Sequence, residues 1–153
     1  MIHLEIQIAS HGPEHPSPEQ FRSWLQAVLR DHPDDSEIVI RITDEHEMTE
    51  LNQRYRDRQS ATNVLSFPFE APDGIQMDLL GDLVVCSPVV AREAEEQGKT
   101  LDAHWAHMII HGTLHLLGYD HIEDDEAEIM ERMEIDILKD LGFTNPYVMV
   151  DTK

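Results

Sequence analysis

The chain is 153 residues long, carries 11 basic against 31 acidic residues for a formal net charge of −20, and is 41% hydrophobic. That length suits one domain, and the apolar share is enough for a packed core, which excludes a disordered chain. The charge excludes indiscriminate nucleic-acid binding, which depends on Lys and Arg displacing counterions at phosphates. No run of eighteen apolar residues occurs, so a membrane span is not expected. Met1-Ile2-His3-Leu4-Glu5 lacks the basic start and apolar core of a signal peptide, and Cys86 is the single cysteine. No disulfide framework is therefore available, and the expectation is a cytoplasmic protein with Cys86 as a small buried hydrophobe.

In chain order, Ile2, Leu4, Ile6 and Ile8 alternate with His3, Glu5 and Gln7, the period of a half-buried strand. A Pro-rich loop leads to Ser17-Pro18-Glu19-Gln20, a capping box with proline at the first helical position. Phe21, Trp24, Leu25, Val28 and Leu29 form the buried stripe of that helix. Residues 37–43 predict a second strand, after which Asp44 caps a helix carrying Met48, Leu51 and Tyr55. Residues 63–69 predict a short strand that Pro68 confines to a sheet edge or ends early. A turn-rich link leads to a strand around Leu83–Cys86, and Ser87-Pro88 opens a helix that stops at Gly98. Thr100 caps a long helix from Leu101 to about Leu117, closed by Gly118. A last helix from about Asp124 to Leu141 buries Ile129, Met130, Met133, Ile137 and Leu141. The expected fold is α/β: one domain over residues 1–153, with a small mixed four-stranded sheet packed against several helices and one central buried helix carrying metal ligands.

The chemistry concentrates in His111-Gly112-Thr113-Leu114-His115-Leu116-Leu117-Gly118-Tyr119-Asp120-His121. Histidines at i and i+4 share one helix face, close enough to grip one ion. Gly118 permits a left-handed exit that can bring His121 back as a third nitrogen. The spacing is that of the metzincin metalloproteases, glycine included. Three protein ligands leave a fourth position open, the mark of a catalytic zinc site. The bland alternative is three histidines at coincidental spacing. The glycine, and the apolar wrapping of Trp105, Met108, Ile109, Ile110, Leu114, Leu116 and Leu117, argue against it, because a buried imidazole needs a partner. A rival set of His107, His111 and His115 would span about 12 Å along one straight helix at about 1.5 Å per residue. Supporting or pocket-lining roles suit His104 and His107 better. Asp120 either orients a ligand histidine or stabilises the turn. Where a metzincin carries its general base, this chain has Gly112, which transfers no proton and weakens a peptidase reading.

The stretch from His111 to His121, together with Thr62-Asn63-Val64-Leu65-Ser66-Phe67-Pro68-Phe69 and Leu80-Gly81-Asp82-Leu83, resembles the bacterial YbeY family of metal-dependent endoribonucleases. The resemblance runs from about Asn52 to Tyr147. It implies a single-strand-specific endoribonuclease of 16S rRNA maturation and ribosome quality control, with one Zn2+ per chain on His111, His115 and His121. The family's functional arginine falls on Arg56. Single-stranded rRNA and the ribosome or its assembly factors are the implied partners. Neutral imidazoles leave a divalent ion's full charge to acidify water and polarise a phosphoryl oxygen. Arg56 would clamp a phosphate bidentately, against the bland alternative of a solvated loop arginine. Arg54, Arg56 and Arg58 form the local basic site that so acidic a chain needs. Attack by water leaves linear phosphate ends, whereas attack by the 2′-hydroxyl passes through a cyclic phosphate. A metallopeptidase and a non-catalytic ribosome assembly factor with a structural metal are the competing readings.

Overall fold

The computed structural model describes residues 2–9, 15–30, 36–56, 62–69, 79–119 and 124–147, the side chains of Tyr55, Arg56 and Leu79 excepted. Its elements run β1 (Ile2–Ile8), α1 (Pro18–Leu29), β2 (Ser36–Thr43), α2 (Glu45–Arg56), β3 (Val64–Pro68), β4 (Leu79–Cys86), α3 (Ser87–Glu96), α4 (Leu101–Leu116) and α5 (Asp124–Asp140). The four strands lie in the order β1-β2-β4-β3, with β1, β2 and β4 parallel and β3 antiparallel to β4. The α/β architecture with a small mixed sheet is the one expected. β3 is the edge strand that Pro68 requires, ending on that residue.

Alternation decides the two faces of the sheet. Ile38, Ile40 and Ile42 of β2, with Leu83 and Val85 of β4, join Phe21 and Leu25 of α1 and Trp105, Ile109, Ile110 and Leu114 of α4 in the main core. The intervening residues, Leu65 and Val84, face the other way and pack with Met48 of α2 and with Cys86 and Val89. The cysteine is a free thiol inside this small cluster. Local signals start the helices: Ser17 accepts from the Gln20 amide while the Gln20 side chain accepts from the Ser17 amide, and Asp44 accepts from the Glu47 amide. No described helix is long and apolar enough to cross a membrane.

Three expectations change. β4 begins at Leu79, earlier than its apolar run suggests, because Gly81 at φ +144° carries a shift in the β2–β4 register. A Cβ at Gly81 would collide with the Phe67 carbonyl oxygen, so the close β3–β4 approach there needs glycine. α2 continues to Arg56, so that position is the end of a helix and not a loop. On α5 the expected Met130 and Ile137 are buried and Met133 and Leu141 pack against the core, but Ile129 does not. Ile129 is 56% exposed, and Met130, Glu134, Ile137 and Leu138 are buried. Spacings of i, i+4, i+7 and i+8 put a glutamate on that inner face.

Candidate metal centre

α4 lies at the middle of the molecule, in contact with α1, α3 and α5 as well as β3 and β4. Thr100 starts it by accepting from the Ala103 amide at 3.1 Å. It ends in a Schellman turn: Gly118, at φ +103°, donates to the His115 carbonyl at 3.0 Å, and Tyr119 donates to the Leu114 carbonyl at 3.1 Å. The turn bends the chain back so that the Tyr119 carbonyl lies 3.0 Å from His115 Nδ1. A carbonyl only accepts, so His115 donates to it through Nδ1, which leaves Nε2 as the nitrogen that turns towards His111.

One turn earlier, His111 Nδ1 lies 3.1 Å from Glu134 Oε1. The same logic puts the His111 proton on Nδ1. The two Nε2 atoms then face each other at 3.2 Å, with the rings 4.6 Å apart at 83°. Two nitrogens each about 2.0–2.1 Å from one tetrahedral ion stand about 3.3 Å apart. The pair therefore fits the edge of such a coordination shell. His121 and Asp120 lie outside the described residues, and among those described no group of three or more potential ligands is assembled. The described contribution is the pair His111 and His115, carried by the central helix.

Glu134 is 1% exposed, and its carboxylate accepts from His107 Nε2 at 2.9 Å, from His111 Nδ1 and from the Tyr147 hydroxyl at 2.9 Å. Burial pushes the Glu134 carboxyl up, but the hydrogen bonds that it accepts, from His107 first and then from His111, oppose it and bring it down to about 2. Burial, partly opposed by Glu134, moves His107 down, so this imidazole is neutral and donates through Nε2. The Tyr147 phenol is pushed up, first by burial and then by the neighbouring carboxylate, and keeps its proton to donate. His107 is engaged elsewhere: Nε2 contacts Glu134, and Nδ1 is buried with no hydrogen-bond partner among the described residues. That engagement weighs against the rival set of His107, His111 and His115. His104 is likewise engaged, its Nε2 2.9 Å from Glu93 Oε1, which Asn63 also contacts at 3.1 Å. Sequence reasoning missed Glu134 because it counted only apolar residues on the inner face of α5, where Glu134 lies between Met130 and Ile137.

Gly112, between His111 and His115 in sequence, faces the sheet. A Cβ there would lie 2.7 Å from Leu83 Cδ2 and 3.2 Å from Ser66 Oγ, and Ser66 donates to the Gly112 carbonyl at 3.1 Å. The glycine allows α4 to lie directly on β3 and β4, and a glutamate at this position would have no room. The segments 62–69 and 80–83 supply the strands that receive it. On the opposite face of the sheet, Arg54 lines a depression with Arg41, Phe67 and Asp82, and Glu47 holds Arg41 bidentately at 2.7 and 2.8 Å. Positions 54 and 56, two apart on a helix, do not share a face. Of the expected local basic site, Arg58 and the Arg56 side chain lie outside the described residues.

The family model described as Endoribonuclease YbeY matches residues 7–142. The chain belongs to the YbeY endoribonuclease family. The YbeY match spans α2 with Arg56, both strand segments and all three histidines of the motif, and it ends before Tyr147. Among solved structures, the solution structure of a Thermotoga maritima protein, TM1509, is similar at a TM-score of 0.58 and 25% identity, covering 93% of this chain and 92% of that one.

Proposed function

We propose that this protein is a zinc-dependent, single-strand-specific endoribonuclease of 16S rRNA maturation and ribosome quality control, built as one domain over residues 1–153. His111, His115 and His121 hold one Zn2+ per chain. The reading rests above all on the Nε2 atoms of His111 and His115 held 3.2 Å apart on one helix face, with each Nδ1 engaged by an acceptor. His121 stands two residues beyond Tyr119, whose carbonyl has turned back onto His115. When bound, the ion supplies Lewis acidity to water and to a phosphoryl oxygen.

The chain's own groups supply the rest. Arg56 pairs with the scissile phosphate and offsets the charge that grows on it as the P–O bond breaks. Arg54 and Arg58 hold the strand electrostatically. With a net charge of −20, RNA is engaged locally or is presented by the ribosome or an assembly factor, in the cytoplasm. A peptidase is disfavoured because the metzincin base position is Gly112, packed against Leu83 and Ser66. Incubating the zinc-loaded protein with rRNA fragments and with casein tests the reading. Metal-dependent cleavage of single-stranded RNA alone is expected. Cleavage of casein would establish a peptidase, and cleavage of neither would leave an assembly factor.

A further inference from the structure

We infer that Glu134 is a positioning residue of the metal centre: its buried carboxylate selects the ligating tautomer of His111, and Tyr147 holds that carboxylate in place. The inference rests on the reading of His111 as a ligand and reaches residues that reading does not include. Tyr147 lies outside the span shared with the family.

The inner face of α5 is otherwise apolar, with Met130, Ile137 and Leu138 buried around Glu134. An ionised carboxylate in that register is costly, and a hydrophobic side chain there would be neutral or stabilising for the fold. A charge retained at that cost has a task that packing does not explain. Three donors converge on it: His107 Nε2 at 2.9 Å, His111 Nδ1 at 3.1 Å and the Tyr147 hydroxyl at 2.9 Å from both carboxylate oxygens. His107 and Tyr147 use two of the acceptor positions and restrain the carboxylate. Its remaining acceptor capacity meets the His111 ring, where it holds the proton on Nδ1 and turns Nε2 towards His115. On the other ligand the same task falls to a main-chain carbonyl, that of Tyr119. The two ligands are therefore oriented by unlike devices, one encoded in a helix-ending turn and one in a side chain of α5.

The test compares the full-length wild type, Glu134→Gln and Tyr147→Phe in two measurements made well below the melting transition. Zinc affinity is read by competition with a chromogenic chelator. The His111 tautomer in the zinc-free protein is read from imidazole 15N shifts. Glu134→Gln should weaken zinc binding about 10–100-fold, the scale for losing an outer partner of a ligand histidine. It should also convert the His111 signal from the Nδ1–H form to a mixture. Tyr147→Phe removes one oxygen from a half-exposed side chain and leaves the fold intact. It should shift both readings in the same direction, by less than about tenfold in affinity. Purely structural residues would lower the melting temperature and leave the affinity and tautomer of the folded protein unchanged. That outcome in both variants overturns the inference. Failure of the underlying ligand reading looks different: the wild type itself would bind no zinc, or His115→Ala would retain it.

Discussion

The two halves of α4 put the same residue to opposite uses. His104 and His107, in the first half, give Nε2 to the carboxylates of Glu93 and Glu134 and bury an unpartnered Nδ1. His111 and His115, in the second half, give Nδ1 to Glu134 and to the Tyr119 carbonyl and turn their Nε2 atoms towards each other. Residue type and helical spacing do not separate the two pairs. What separates them is which ring nitrogen is consumed by a neighbour, and that is set by α5 and by the Gly118 turn. On the proposed reading, the pair whose Nε2 atoms are engaged by carboxylates belongs to the scaffold, and the pair engaged through Nδ1 holds the metal.

The sharpest way to break this contrast is to delete one histidine from each half. His115→Ala should reduce zinc from about one equivalent to near none, because the remaining imidazoles no longer enclose the ion. His107→Ala should keep close to one equivalent when zinc is in excess. Elemental analysis of both purified proteins decides, and the reverse pattern would restore the rival ligand set.

Arg56 sharpens the comparison from the side of the substrate. Arg56→Lys keeps the charge but loses the bidentate fork, and cleavage at saturating RNA should fall by roughly tenfold to a thousandfold. Zinc content should be unchanged. Arg54→Ala should weaken RNA binding modestly and flatten its salt dependence, as expected of a residue that contacts phosphate without reaching the reacting one. Wild-type cleavage by Arg56→Lys would return Arg56 to the surface.

A third substitution probes what holds the ligand half against the sheet. Gly112→Ala puts a methyl group 2.7 Å from Leu83 Cδ2. Overpacking should cost about 1–3 kcal/mol, partly offset by the better helix propensity of alanine, about 1 kcal/mol. Urea denaturation should therefore give a lower midpoint, and a raised midpoint would show that the helix can move away freely.

The smallest effect belongs to the scaffold half. The His104 hydrogen bond lowers the Glu93 carboxyl against the opposing effect of burial, with Asn63 assisting. A carboxyl depressed in the folded state contributes stability above its unfolded pKa and loses it as pH falls through the folded value. Wild-type stability should thus decline as pH drops below about 4.3, the ordinary glutamate value. Glu93→Gln should decline less steeply over that range. Parallel melting curves for the two proteins would remove this role from Glu93.

Much of this was legible in the sequence because it is encoded locally. The Ser17–Gln20 capping box, the Thr100 cap, the alternation of β2 and the glycine-closed turn after His115 each need only a few neighbouring residues. Pro68 alone determines that β3 is an edge. The outer partners of the histidines were not legible, since Glu134 and Tyr147 meet His111 and His107 across 23 to 40 residues of chain. Glu134 shares the α5 face with Met130 and Ile137, both expected to be buried, but an apolar pattern gives no reason to place a carboxylate there. Gly112 read as an absent base, and only the sheet contact explains it as a packing requirement.

The central claim is that the facing Nε2 atoms of His111 and His115 bind a metal ion directly. X-ray absorption at the zinc edge, on protein loaded with one equivalent, tests it most directly. The account predicts a first shell dominated by imidazole nitrogen at about 2.0–2.1 Å, with ring multiple scattering that weakens on His115→Ala. A shell of oxygen alone, or a spectrum unchanged by that substitution, would contradict it.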